Sequence, residues 1–310
     1  MDSKNQSLFK AFIITGFSDF PDLEMPIVLF FILSYMITLL ANILLICLIF
    51  LSPSLKTPMY FFLCSLSGMD ILCATSVSPN LIHMFLKHNN VILLSWCTVQ
   101  FLFSAGSAGS EYFVLTVMSY DRYVAVCKPL HYSQLLSKKF CMISSIGSWV
   151  TGFSATFAIA IIFPFNDFCI SNVIDHFFCD LNELLELSCS NISLIWALML
   201  VDGALLFTCF ILTITSYTFI ISSILKIQSV QKKNKTFSTC ASHLMAVSVF
   251  YSSISILYLI PNVLRTQSQR KLITILYTNV IPMVNPFIYS LRNKDVSKSM
   301  RHLLRQAKSF

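Results

Sequence analysis

A chain of 310 residues with 56% hydrophobic and only 11% charged residues carries too few solvating groups to cover itself in water, which excludes a soluble globule. Nothing alternates apolar with polar over about ten residues, which excludes a membrane β-barrel. The formal net charge of +7 then reads as a matter of where Lys and Arg sit across a bilayer, not as a nucleic-acid footprint.

Residues 1–25 form a polar leading segment with Asp2, Lys4, Lys10, Asp19, Asp22 and Glu24. That charge, and the length of the apolar run behind it, predict an uncleaved anchor and no cleavable signal peptide. Within the segment, Asn5-Gln6-Ser7 is a glycosylation acceptor, and Asn5 is expected to carry a glycan. Seven apolar stretches follow, at 26–51, 58–82, 98–120, 141–163, 195–225, 238–261 and 272–291. At about 1.5 Å per residue each can cross a hydrocarbon core of about 30 Å. The expectation is an all-α membrane protein: a seven-transmembrane helix bundle over 26–291, then a tail at 292–310.

Three carboxylates fall inside the predicted helices, Asp70 in the second, Glu111 in the third and Asp202 in the fifth. A charge at such depth costs about 2.5–3.5 kcal/mol on insertion scales, so each needs a partner, a proton or a cation. At the end of the third helix Asp121-Arg122-Tyr123 places an ion pair at the membrane boundary. There an Arg is either an interfacial anchor or one half of a switch, neutralised in one state and reaching for a partner protein in the other. The segment 164–194 is the only sizeable loop, acidic through Asp167, Asp175, Asp180, Glu183 and Glu186. In the seventh helix Pro282 and Pro286 weaken the hydrogen-bond ladder around Asn285. Beyond Arg292, residues Val296, Met300, Leu303 and Leu304 share one helical face with cations elsewhere, predicting a short amphipathic helix on the membrane surface.

Fifteen of the 21 Lys and Arg fall on one side of this topology and six on the other. The positive-inside rule therefore predicts the N-terminus outside, the C-terminus in the cytoplasm and residues 164–194 as an outer loop. Basic inner loops suit anionic membrane lipid and acidic partner surfaces. Seven of the 11 cysteines sit in helices or at their inner ends as apolar packers. Cys97, Cys169, Cys179 and Cys189 fall on the outer side, where oxidation is permitted; three pairings are open to them. No Cys lies beyond 292, so a palmitoylated tail is not supported.

Longer strings give the chain a family likeness. Met118-Ser119-Tyr120-Asp121-Arg122-Tyr123-Val124-Ala125-Val126-Cys127-Lys128-Pro129-Leu130-His131-Tyr132 resembles the MAYDRYVAIC-PLxY signature of odorant receptors, within the rhodopsin-like G-protein-coupled receptors. Leu55-Lys56-Thr57-Pro58-Met59-Tyr60-Phe61-Phe62-Leu63 is similar to that family's LHxPMYFFL. Lys235-Thr236-Phe237-Ser238-Thr239-Cys240-Ala241-Ser242-His243-Leu244 is similar to KAFSTCxSHL, and Pro282-Met283-Val284-Asn285-Pro286-Phe287-Ile288-Tyr289-Ser290-Leu291-Arg292-Asn293-Lys294 to PMLNPxIYSLRNK. His176-Phe177-Phe178-Cys179-Asp180 and Leu187-Ser188-Cys189 match as well. Ala41-Asn42, Lys56 and Phe250-Tyr251-Ser252 depart from the usual Gly-Asn, His and FYG without removing a switch residue.

The resemblance implies disulfides Cys97–Cys179 and Cys169–Cys189. It places Asp70 and Glu111 at a central polar site, where two facing carboxylates either hold a small cation such as sodium or share a proton for helix packing. It also implies a ligand cavity at the outer end. Helical spacing assigns to it Ser104, Ala105, Ala108 and Gly109; Val201, Asp202 and Leu206; Tyr251, Ile254, Ser255 and Tyr258; and Ile275 and Thr278. Ordinary helix contact is the alternative for each. Asp202, if inward and ionised, would favour a protonated amine; if outward, it snorkels or stays protonated.

The implied function is that of an odorant receptor. A small volatile ligand shifts the bundle between states, Asp121, Arg122, Tyr123, Tyr217, His243, Asn285, Pro286 and Tyr289 act as the switch, and a heterotrimeric stimulatory G protein raises cyclic AMP. A non-olfactory chemosensory receptor is the alternative, and a small-solute transporter a lesser one, since no repeated half is visible. No filter or charged ring of a channel is visible either. No nucleophile, base and orienting group assemble, so an enzyme is not expected.

Overall fold

The computed structural model describes residues 9–18, 20–87, 89–259, 266–291 and 296–301, apart from the side chains at 232, 235, 238, 239, 257–259 and 291. Asn5 and the side chain of Tyr258 thus lie outside the described residues. Helices account for most of the rest: α1 (Glu24–Leu51), α2 (Pro58–Lys87), α3 (Leu94–Cys127), the single turn α4 (Tyr132–Leu135), α5 (Lys138–Ile162), the short α6 (Leu181–Glu186), α7 (Ser193–Leu225) and α8 (Val230–Leu259). The last span is composite, with α9 (Gln267–Ile275), a π-helical turn (Leu276–Val280) and α10 (Ile281–Leu291) in line. These form the seven-helix bundle.

Local chemistry explains the ends. Pro58 opens α2, where its missing N–H is an orphan in any helix. Ser137 caps α5 by accepting from the Phe140 N–H, and Thr266 and Gln269 make a reciprocal capping box at α9. Pro129 stops α3.

Among the described residues five stretches are long and apolar enough to cross a bilayer by length and composition: Pro21–Leu51, Pro58–Lys87, Lys138–Phe165, Ser193–Leu225 and Gln267–Ser290. Within α8, Cys240–Ile256 is a shorter apolar helix. The 34-residue α3 is more polar because it is enclosed, packing on α2, α5, α7 and α8. A helix wrapped in protein does not need the large apolar side chains that α1, α5 and α7 expose on their outer faces. Its tightest crossing is with α5, where Gly109 and Gly152 bring the two backbones together.

At the end of the bundle that carries the disulfides, β1 (Ala11–Ile14) lies between β2 (Val91–Leu93) and β3 (Val173–Ile174), antiparallel to the first and parallel to the second. Phe12 and Ile14 point inward and are fully buried. The leading segment is therefore not merely a polar leader. Four residues with two inward side chains give too short a period to register in the sequence. Around the strand pack Phe17, Phe31, Phe163, Phe168, Phe177 and Phe178. A separate central core draws on α1, α2, α3, α7, α8 and α10.

Residues 296–301 form a final helix, α11. Val296 is fully buried against the central core with Met300 beside it, and Ser299 meets Ser54 at 3.2 Å. Leu303 and Leu304, the rest of the predicted amphipathic face, lie outside the described residues.

Candidate functional site

Small residues on α3 leave space beneath the disulfide-stapled loop. Ser104, Ala105, Ala108 and Gly109 line a cavity of about 140 Å³ with Met199, Asp202 and Leu206 of α7, Phe250 and Ile254 of α8, and Tyr277 of the π turn. Phe178, Asp180, Leu181 and Asn182 roof it. The Tyr112 hydroxyl, also in the lining, donates to Asp202 Oδ1 at 2.8 Å.

Other residues of the predicted face fall elsewhere. Val201 is 58% exposed on the outside of α7, about 100° round the helix from Asp202. Tyr251 lies deeper, its hydroxyl 3.4 Å from Thr116 Oγ1 and its ring against Phe210. Ser255 is half-buried outside the lining. Ile275 packs under the loop, and Thr278 is buried with its hydroxyl donating to Thr274 O. The cause on the seventh helix is the π turn, whose i→i+5 bonds carry an extra residue, so 3.6-residue spacing selects the wrong side chains there. Tyr277 faces the cavity instead.

The roof is fastened at many points. Both disulfides form, Cys97–Cys179 and Cys169–Cys189, with Cα separations of 5.3 and 5.9 Å. Gln100 accepts from the Cys179 N–H and donates to Ser76 O, joining α3, the roof and α2. From α9, Lys271 pairs with Asp175 at 2.8 Å, and Arg270 faces Glu183 and Glu186 at 3.4 and 3.6 Å. Gln267 donates to the Asp175 carbonyl oxygen and accepts from Arg270. Burial pushes Asp175 upward, but its bonds to Lys271 and Thr15 win and hold it below the ordinary carboxylate range. His176 is driven down to about 3 by burial and then by the neighbouring Lys271 and Arg270. Glu183 is pushed up to about 7 by burial, which Arg270 opposes incompletely.

At the floor of the cavity, which Glu111 of α3 helps to line, that buried carboxylate faces a second, Asp70 of α2. Asn285 Nδ2 donates to both oxygens of Asp70, at 3.0 and 3.3 Å. No Lys or Arg pairs with either carboxylate among the described residues. This is a hard-oxygen donor set whose charge calls for a proton or a small cation, and it fits sodium chemically. No group of three or more His, Cys, Asp or Glu that could hold a metal occurs among the described residues.

A residue missed by sequence reasoning acts nearby. Pro286 has no N–H to give Pro282 O, and Asn42 Nδ2 donates to that carbonyl at 3.1 Å instead. The signal was available: the position four before an intrahelical proline always carries an orphan carbonyl.

At the opposite end, Arg122 donates to Asp121 Oδ2 through Nε at 3.0 Å and a terminal nitrogen at 2.7 Å, while Tyr132 donates to Oδ1 at 2.8 Å. Tyr217 and His243 meet at 2.6 Å with nearly parallel rings. Tyr123 packs on Phe219 under Lys128. The Tyr289 hydroxyl is buried with no hydrogen-bond partner among the described residues.

Comparison with known proteins yields one consistent match. The family model described as olfactory receptor covers residues 31–307. The chain is 39% identical over 305 residues to olfactory receptor 5AR1 of Mus musculus, covering 98% of each chain. It is 41% identical over 307 residues to olfactory receptor 8G17 of Mus musculus, covering 98% of this chain and 100% of that one. With olfactory receptor 6C4 of Homo sapiens the identity is 38% over 299 residues, or 96% of this chain and 97% of the other.

Proposed function

Since this chain belongs to the olfactory receptor family, whose members are multi-pass membrane receptors that signal and do not catalyse, we propose that a small volatile odorant binds in the cavity under the loop and that a stimulatory G protein docks at the Asp121–Arg122 end. One observation carries the reading. A single helix, α3, lines the cavity with Ser104 to Tyr112 and carries the Asp121–Arg122 pair near its other end, about 14 Å beyond Tyr112 at 1.5 Å per residue. A ligand that fits one placement of α3 and its neighbours better than another biases the far end by that difference in affinity, and by no more.

In this reading the Arg122–Asp121 clasp, braced by Tyr132, is the resting state. Release of Arg122 and separation of Tyr217 from His243 let α8 move at its inner end. Pro286 gives α10 the freedom to bend about Asn285 and to carry Tyr289 with it. The disulfide end faces the outside of the plasma membrane and the basic end the cytoplasm, as the excess of Lys and Arg supports. Sodium between Asp70 and Glu111 would hold α2, α3 and Asn285 of α10 together in the resting state, and the shared-proton pair is the same site without the ion.

The experiment is nucleotide exchange on a purified stimulatory Gα subunit, driven by receptor in lipid nanodiscs. Arg122→Gln is expected to abolish agonist-driven exchange while the receptor still reaches the cell surface. Exchange equal to wild type would refute the coupling.

A further inference from the structure

We infer that the cavity selects a small protonated amine and that Asp202 is the residue that reads its charge. The inference rests on the reading of this cavity as the ligand site. Among the described residues lining it are three carboxylates, Glu111, Asp180 and Asp202, and no Lys, Arg or His. Two of the three have other employment. Asp180 caps α6 by accepting from the Asn182 N–H at 2.9 Å, and Glu111 is turned to Asp70.

Asp202 differs from both. Its Oδ1 accepts from Tyr112, which fixes the plane of the carboxylate, and its Oδ2 has no hydrogen-bond donor among the described residues. Met199, Leu206, Phe250 and Ile254 surround the cavity with hydrocarbon. In such surroundings a carboxylate gains more from a counter-ion than it would in water. The cations of α9 are engaged elsewhere, Arg270 by Glu183 and Glu186 and Lys271 by Asp175. Among the described lining residues a carboxylic acid ligand would meet charge of its own sign and no cation. A neutral ligand would leave Asp202 as it stands, whereas an ammonium brings three donors and the missing charge.

Size narrows the class further. About 140 Å³ is less than half of the ~300 Å³ at which pockets for drug-sized ligands begin. The amine is therefore compact, a short branched or single-ring alkyl group.

The bland role for Asp202 is to tie α3 to α7 through Tyr112. Asp202→Asn separates the two, since the amide oxygen still accepts from Tyr112 and only the charge is lost. Cells bearing wild-type or Asp202→Asn receptor, matched for surface level by antibody labelling, would be tested in a cyclic AMP reporter. The probes are isobutylamine and cyclohexylamine beside their neutral isosteres isobutanol and cyclohexanol. The expected result is that the amines activate the wild type and lose about tenfold or more in potency with Asp202→Asn, while the alcohols change little. Alcohols active without the amines, or amine potency untouched by Asp202→Asn, would overturn the inference and leave the ligand site standing. Silence to all four probes, with receptor at the surface, would overturn the ligand-site reading and the inference with it.

Discussion

Gly152 shows how little a single position can reveal until its neighbour is known. In the sequence it is one glycine in an apolar run, yet a Cβ built on it would fall on the backbone nitrogen and Cα of Ser110 in α3. Those are backbone atoms of a packed helix and cannot move aside. Gly152→Ala is expected to destabilise purified receptor by about 1–3 kcal/mol through overpacking, seen as a lower melting temperature. Gly147→Ala is the control, because a Cβ there meets nothing within 4 Å. If the two variants melt alike, the close crossing of α3 and α5 is not a stability determinant. Asp70, Glu111 and Asp202 were different, since a carboxylate inside an apolar helix stands out in any reading. What each one touches was not legible, because Tyr112 and Asn285 lie 90 and 215 residues away from Asp202 and Asp70.

Among the elements, the roof over the cavity is where pH should act. His176 packs tilted against Phe177 and edge-on to Phe178, at ring-centroid distances of 4.6 and 5.0 Å, and stays neutral because burial and the cations of α9 drive its pKa down to about 3. The folded state thus binds fewer protons than the unfolded one. Its contribution to stability is complete above the ordinary value of 6.5 and is lost as pH falls from there toward 3. Glu183 opposes this trend: its pKa, raised to about 7, makes the folded state bind more protons, so its effect improves on acidification from that value toward the ordinary 4.5. Asp175, held below the ordinary carboxylate range, faces the same spot together with Lys271 and Arg270.

Comparing wild type with His176→Phe isolates the imidazole. Between pH 7 and 5 the amides of the roof in wild type should lose hydrogen-exchange protection relative to His176→Phe. Equal pH profiles would show that the ring is not held neutral. The number and placement of the long helices were legible from apolar runs, but not the polar turns by which α3 and α8 outrun them, nor β1 and the π turn. A strand of four residues and a one-residue change of helical register both fall below the resolution of a periodicity argument.

For the molecule as a whole, the two disulfides close loops of different size, with sequence separations of 82 and 20. Chain-entropy reasoning gives roughly 4.5 kcal/mol for the longer loop and roughly 3 for the shorter. Replacing Cys97 and Cys179 by Ser is therefore expected to lower surface receptor more than the same change at Cys169 and Cys189, as read by flow cytometry of intact cells. The reverse order would mean that the shorter staple governs folding.

By itself the sequence determined the solvent, the number of spans and the family. The first two depend on composition and run length, and the third on strings of neighbouring residues, all of them properties that need no third dimension. Only the tertiary structure decided which carboxylate stands alone, which face of the seventh helix meets the cavity, and that the leading segment is a strand in the roof. Each of these is set by a partner distant along the chain, and the energy that selects it exists only once the helices are in contact.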